Sequence, residues 1–111
     1  MKTSDLLGPA LSWAVGEIEK LEWDKLWKTH RYPDPTNANF SLRFEPHLDW
    51  AQGGPIIERE RINLVGDGGD RWMADDSIHM SYYGPTPLIA SMRCYVASKL
   101  GDEVEIPEEL Q

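Results

Sequence analysis

The chain has a single cysteine, Cys94, among its 111 residues. An internal disulfide is therefore excluded, and a reducing compartment is the simple inference. No apolar run approaches the ~20 residues that cross a bilayer. The opening residues Met1, Lys2, Thr3, Ser4 and Asp5 lack the apolar core of a secretory leader. These absences predict a soluble, cytoplasmic protein with no membrane contact. Cations are also scarce, with 11 Lys and Arg against 19 Asp and Glu, for a formal net charge of −8. That argues against direct, sequence-independent nucleic-acid binding, which needs lysine and arginine to displace counterions. An acidic surface serves solubility and permits a basic protein partner. No internal repeat and no low-complexity tract is present.

What is plentiful is tryptophan, with five residues. Each indole is a large apolar group with one N–H to satisfy, suited to a core or to a contact surface. The length gives one domain, residues 1–111, burying about two-thirds of the surface its unfolded chain exposes.

The most strongly signalled element is residues 84–101. Thr86 is a good N-cap, Pro87 fits the first helical position, and Gly101 can close the helix in a left-handed conformation. Leu88, Ile89, Met92, Val96 and Leu100 fall on one stripe. Residues 1–27 read as an amphipathic helix carrying Leu7, Leu11, Ala14, Val15, Ile18 and Leu21, starting at Ser4 or Asp5, or later near Pro9. Trp23, Leu26 and Trp27 either extend it or begin a separate piece.

Residues 28–55 are the least regular. Phe40, Leu42 and Phe44 alternate with polar residues, which predicts a short strand with one buried face. Asp49 to Pro55 reads as a loop because of Gly53-Gly54-Pro55. Residues 56–65 fit a strand at both ends, with a helical turn at 57–60 as the rival. The turn at 66–70 predicts a hairpin joining 62–65 to 71–74, and 77–83 suggests another strand. Residues 102–111 form an acidic extended tail with Val104 and Ile106 resting on the domain. The predicted fold is α+β, with two main helices on a short, mostly antiparallel sheet. Its predicted core is Leu11, Val15, Ile18, Ile62, Leu64, Trp72, Ile89, Met92 and Val96.

Three stretches resemble the phage NinX-like family, a domain of unknown function in bacteriophages and prophages. They are residues 7–15, with Ser12 where that family commonly has aspartate before Trp13; residues 49–60; and residues 84–101 with their acidic follow-on. The resemblance implies a phage or prophage gene expressed in a bacterial host, and it implies no reaction.

Candidate chemistry concentrates at 49–61. Asp49, Gln52, Glu58 and Glu60 offer polar groups, Gly53-Gly54 a bare backbone, and Trp50 an aromatic wall. The lysine and hydroxyl of a phosphate loop are missing there. The structural alternative is a tight turn with Trp50 in the core. His47, Asp49, His79 and Glu58 have no recognised metal-ligand spacing, and one cysteine excludes an ordinary structural zinc site. Asp67–Asp70 with Asp75 and Asp76 lacks the EF-hand pattern. Cys94 beside Arg93 reads as a small core residue before a nucleophile. Glu58 and Glu60 alternate with Arg59 and Arg61, as on a solvated charged face.

The sequence thus predicts no catalytic residue, no metal and no cofactor. The leading function is a non-enzymatic phage accessory protein that binds a host or phage protein. Its candidate binding residues are Asp49, Trp50, Gln52, Gly53, Gly54, Glu58, Glu60 and Arg93. The alternative is a small-molecule or nucleotide-handling enzyme using the 49–60 loop, with a pocket lined by Trp50 and carboxylates. A mimic of DNA charge would need carboxylates aligned along one face. The oligomeric state is open, a dimer among the options.

Overall fold

The computed structural model describes residues 1–78 and 80–111. His79, a metal-ligand candidate within the predicted 77–83 strand, lies outside the described residues. The described chain contains helices α1 (Gly8–Ile18), α2 (Trp50–Glu60) and α3 (Pro87–Leu100). Strands β1 (Trp23–Asp24), β2 (Thr29–Pro33) and β3 (Ser41–Arg43) form one antiparallel sheet. Strands β4 (Asn63–Gly66), β5 (Trp72–Asp75) and β6 (Tyr82–Gly84) form another. The fold is α+β as expected, but with two small sheets instead of one and a third helix.

Helix α3 is the axis of the molecule. Thr86 accepts a hydrogen bond from the Ile89 amide at 3.1 Å, capping the free first turn. Gly101 ends the helix at φ 91°. The expected single stripe undercounts its burial, since every residue from Leu88 to Ala97 is buried. The reason is tertiary: α3 contacts α1, α2 and the β4–β6 sheet. A helix covered on several sides keeps no polar face through its middle.

Helix α1 begins at the later of the two predicted starts and stops at Ile18. It does not continue to residue 27. Lys20 takes a left-handed conformation at φ 58° and turns the chain toward β1. Asp24 then accepts hydrogen bonds from the Leu26 and Trp27 amides, each at 2.9 Å, which folds the β1–β2 turn. Residues 23–27 are thus a separate piece, one of the two readings of the sequence.

The predicted hairpin is present, with Asn63 opposite Asp75 and Gly66 opposite Trp72. Two neighbouring strand readings need correction. Of Phe40, Leu42 and Phe44, only Phe44 is buried: it follows the paired Ser41–Arg43 strand and enters the core, its ring stacked on Tyr32 at 5.5 Å, whereas Leu42, though paired, stays exposed. Among the described residues the last strand forms at Tyr82–Gly84 alone, and Ile78 and Met80 are exposed.

Most of the predicted core is central. Leu11, Val15, Ile62, Ile89, Met92 and Val96 are buried, and Ile18 and Leu64 pack partly against them. Trp72 is the exception, exposed beyond a third of its surface on the hairpin. Val104 and Ile106 rest on the core as expected. The Val104 amide donates to the Met1 carbonyl at 2.9 Å, and the Thr3 amide to Asp102 at 2.9 Å. The N-terminal segment therefore lies against the tail.

Candidate functional site

The largest change from expectation is at residues 49–60. The glycine-bearing stretch is not a loop; it is helix α2. Asp49 caps it, its carboxylate accepting from the Ala51 amide at 2.9 Å. Arg61 closes it in the left-handed region at φ 54°, and the Ile62 amide reaches back to the Ile57 carbonyl at 3.1 Å. Gly53, Gly54 and Pro55 are poor helix formers. Two cap signals and one apolar face overcome them, with Ile56 buried and Ile57 partly buried.

Each candidate residue of this segment has a definite place. Gln52 is buried; its side-chain N–H donates to the Arg43 carbonyl at 2.8 Å, and its oxygen accepts from the Glu45 amide at 2.6 Å. It therefore ties α2 to the segment after β3. Gly53 is buried against the Pro46 carbonyl, so close that a Cβ would lie 2.3 Å from that oxygen. Its amide already donates to the Asp49 carbonyl at 2.9 Å. The bare backbone that a ligand loop requires is thus spent on the helix. Gly54 faces open space, and Glu58 is exposed. Glu60 accepts from Arg59 at 2.9 Å and lies 3.3 Å from the Lys99 ammonium. The Arg59 bond, followed by Lys99, holds its carboxyl below the ordinary value.

Trp50 is not in the core; it is 53% exposed. Leu48, before the cap, is 65% exposed. Leu42, Arg43, Glu45, Leu48, Asp49 and Gln52 line a shallow depression of about 350 Å³. Arg43 also lies 5.6 Å above the Trp27 ring and donates to the Trp27 carbonyl at 3.1 Å. Arg43 therefore joins Trp27 to the edge of a depression lined by Leu42 and Leu48, and Trp50 follows the Asp49 cap in sequence. The sequence signalled Trp50 and Asp49. Leu42 and Leu48 were missed because their apolar character alone reads as core.

Arg93 is elsewhere. It is buried in α3, and its guanidinium donates to the Leu6 carbonyl at 2.9 Å and the Tyr83 carbonyl at 2.7 Å. Burial pulls its pKa below the ordinary arginine value, and attraction to Asp5 opposes this. It lines a cleft of about 750 Å³ with Lys2, Arg71, Tyr82, Tyr83, Asp102 and others. Neither the fold of this cleft nor its size was signalled, because its walls come from both ends of the chain.

Behind α2 lies a charged network. Arg59 donates to both oxygens of Glu19, at 3.1 and 2.9 Å, and to the Tyr95 hydroxyl at 2.9 Å. Tyr95 in turn donates to Glu19. Asp24 is similarly paired with Arg31, and Asp67 with Arg71. Such interleaving is unlike the row of bare carboxylates that a DNA mimic requires. His47 is buried, and its Nδ1 has no hydrogen-bond partner among the described residues. Among those residues no cluster of histidine, cysteine and carboxylates could hold a metal ion. No helix among them is long and apolar enough to cross a membrane.

The comparisons place this α+β domain. A family model described as bacteriophage P22, NinX matches residues 2–99. That match defines a phage accessory protein. The chain belongs to the NinX family of bacteriophage P22. The match stops before the acidic tail. No curated protein matches the chain.

Proposed function

We propose that this phage accessory protein is a non-enzymatic module that binds a host or phage protein through the surface around Asp49. The observation that carries the reading is the exposure of Leu48 and Trp50 on either side of the Asp49 helix cap. Large apolar groups grouped on a surface mark interaction sites more often than they serve the fold. Leu42 and the arginine-covered Trp27 extend the patch. Gln52 and Gly53 hold its floor rigid, while Gly54, Glu58 and Glu60 continue along α2. With a net charge of −8, the fitting partner presents an apolar surface edged by lysine and arginine.

The test is capture of partners from host lysate, with and without phage proteins, on immobilised protein. Wild type should retain a defined protein, and Leu48→Asp with Trp50→Ala should weaken that capture at least ~10-fold. An Asp70→Asn variant, outside the patch, should retain it fully. A lysate that yields no defined protein, or one retained equally by the patch variant, would overturn the reading.

A further inference from the structure

The cleft around Arg93 shares no lining residue with the 49–60 region. Of its charged lining groups, Arg93 is the buried one; Lys2, Asp67, Asp70, Arg71, Asp102 and Glu103 are exposed. Arg93 is only 8% exposed, yet both of its recorded partners are neutral carbonyls. Among the described residues no carboxylate forms an ion pair with it. Asp5 attracts it without forming an ion pair, so the buried guanidinium has no carboxylate in direct contact, and two carbonyls satisfy only part of its five-donor fork. Such a fork matches a planar carboxylate, which can accept two parallel hydrogen bonds.

The rest of the cleft narrows the ligand. Tyr82, Tyr83 and Pro85 supply an apolar wall. Arg71 is stacked 4.1 Å over the Tyr83 ring and tied to Asp67, so it is already engaged. The remaining exposed charges are Lys2 against Asp70, Asp102 and Glu103, a negative rim around a positive floor. A dianion entering past that rim is repelled more than a monoanion.

We propose that this cleft binds a small, singly charged organic carboxylate. The acid group docks on Arg93, and the apolar body lies against Tyr82, Tyr83 and Pro85. The reading is independent of the protein-binding patch.

The test is titration of the ¹⁵N-labelled full chain with benzoate, benzamide as the neutral isostere, and inorganic phosphate. Benzoate should give saturable shifts at the amides of Tyr82, Tyr83, Gly84 and Arg93; benzamide and phosphate should not. Arg93→Gln should weaken benzoate binding at least ~10-fold if it folds by circular dichroism. Asp70→Asn with Asp102→Asn alters only exposed side chains, so it gives an answer even if the arginine variant fails to fold. At low salt it should strengthen benzoate binding by about threefold. The proposal is overturned if benzoate gives no saturable shift, if benzamide or phosphate binds these amides as well, or if the rim variant leaves benzoate affinity unchanged.

Discussion

The imidazole of His30 occupies the space where a side chain on Gly16 would begin. A Cβ built on Gly16 would lie 2.1 Å from the His30 Nδ1 atom. The ring is held there from its other side, because His30 Nε2 is 2.9 Å from a Glu17 carboxylate oxygen. It also meets the Trp23 ring edge-on at 5.0 Å. Helix α1 and strand β2 are thus keyed together at a position where the helix has no side chain.

Gly16→Ala is therefore expected to destabilise the protein. Alanine favours an exposed helix interior over glycine by ~1 kcal/mol. Overpacking here outweighs that gain and should leave a net loss of about 1–3 kcal/mol. Urea unfolding would measure it; a variant as stable as wild type would show that the ring moves aside freely.

Gly53 and Gly54 are neighbours with opposite expected responses. Gly53→Ala drives a Cβ into the Pro46 backbone carbonyl and should cost about 2 kcal/mol or more. Gly54→Ala meets nothing within 4 Å and should stabilise α2 by up to ~1 kcal/mol. Thermal melts of the two variants check this. If both substitutions behave alike, residues 49–60 are not packed as a helix in this register.

His47 should give the fold a pH dependence of definite sign. Burial lowers its pKa from 6.5, with Glu45 opposing. Below about pH 6.5 the unfolded chain takes up a proton that the buried ring resists. Stability should then fall with pH until the folded-state pKa is reached. Comparing ΔG at pH 7.5 and 5 for wild type and His47→Gln isolates this contribution. The variant should lose less stability over that interval, and an identical loss would remove His47 as the cause.

Cys94 should be inert toward thiol reagents in the native protein. It is buried in α3, and desolvation, with smaller contributions from Asp76 and Asp75, pushes its pKa up to about 12. The thiolate is the reactive form. Ellman's reagent at pH 8 should modify it only as fast as the protein unfolds, and at once in guanidinium. Rapid modification of the folded chain would contradict the burial.

Residues with local signals were legible from the sequence. Thr86, Pro87 and Gly101 bound α3 by interactions within a turn of their own positions. The 66–70 turn formed its hairpin for the same reason, and Val104 and Ile106 rest on the core as expected. Residues 49–60 misled because Gly53-Gly54-Pro55 carries an intrinsic loop preference. The Asp49 and Arg61 caps and the buried Ile56 face, joined by the Gln52 bridges and the Pro46 contact with chain outside the segment, hold it as a helix. Trp72, expected in the core, and Trp50, open between core and surface, are both exposed, since an indole suits either place and the packing of neighbours decides which. The Arg93 cleft was beyond any local reading. Lys2, Tyr83, Arg93 and Asp102 are brought together because β6, α3 and the two chain ends pack side by side. Capping and turn preferences act over a few residues and are written in composition. Burial, and the company a charged group keeps, depend on which distant segments the whole core draws together.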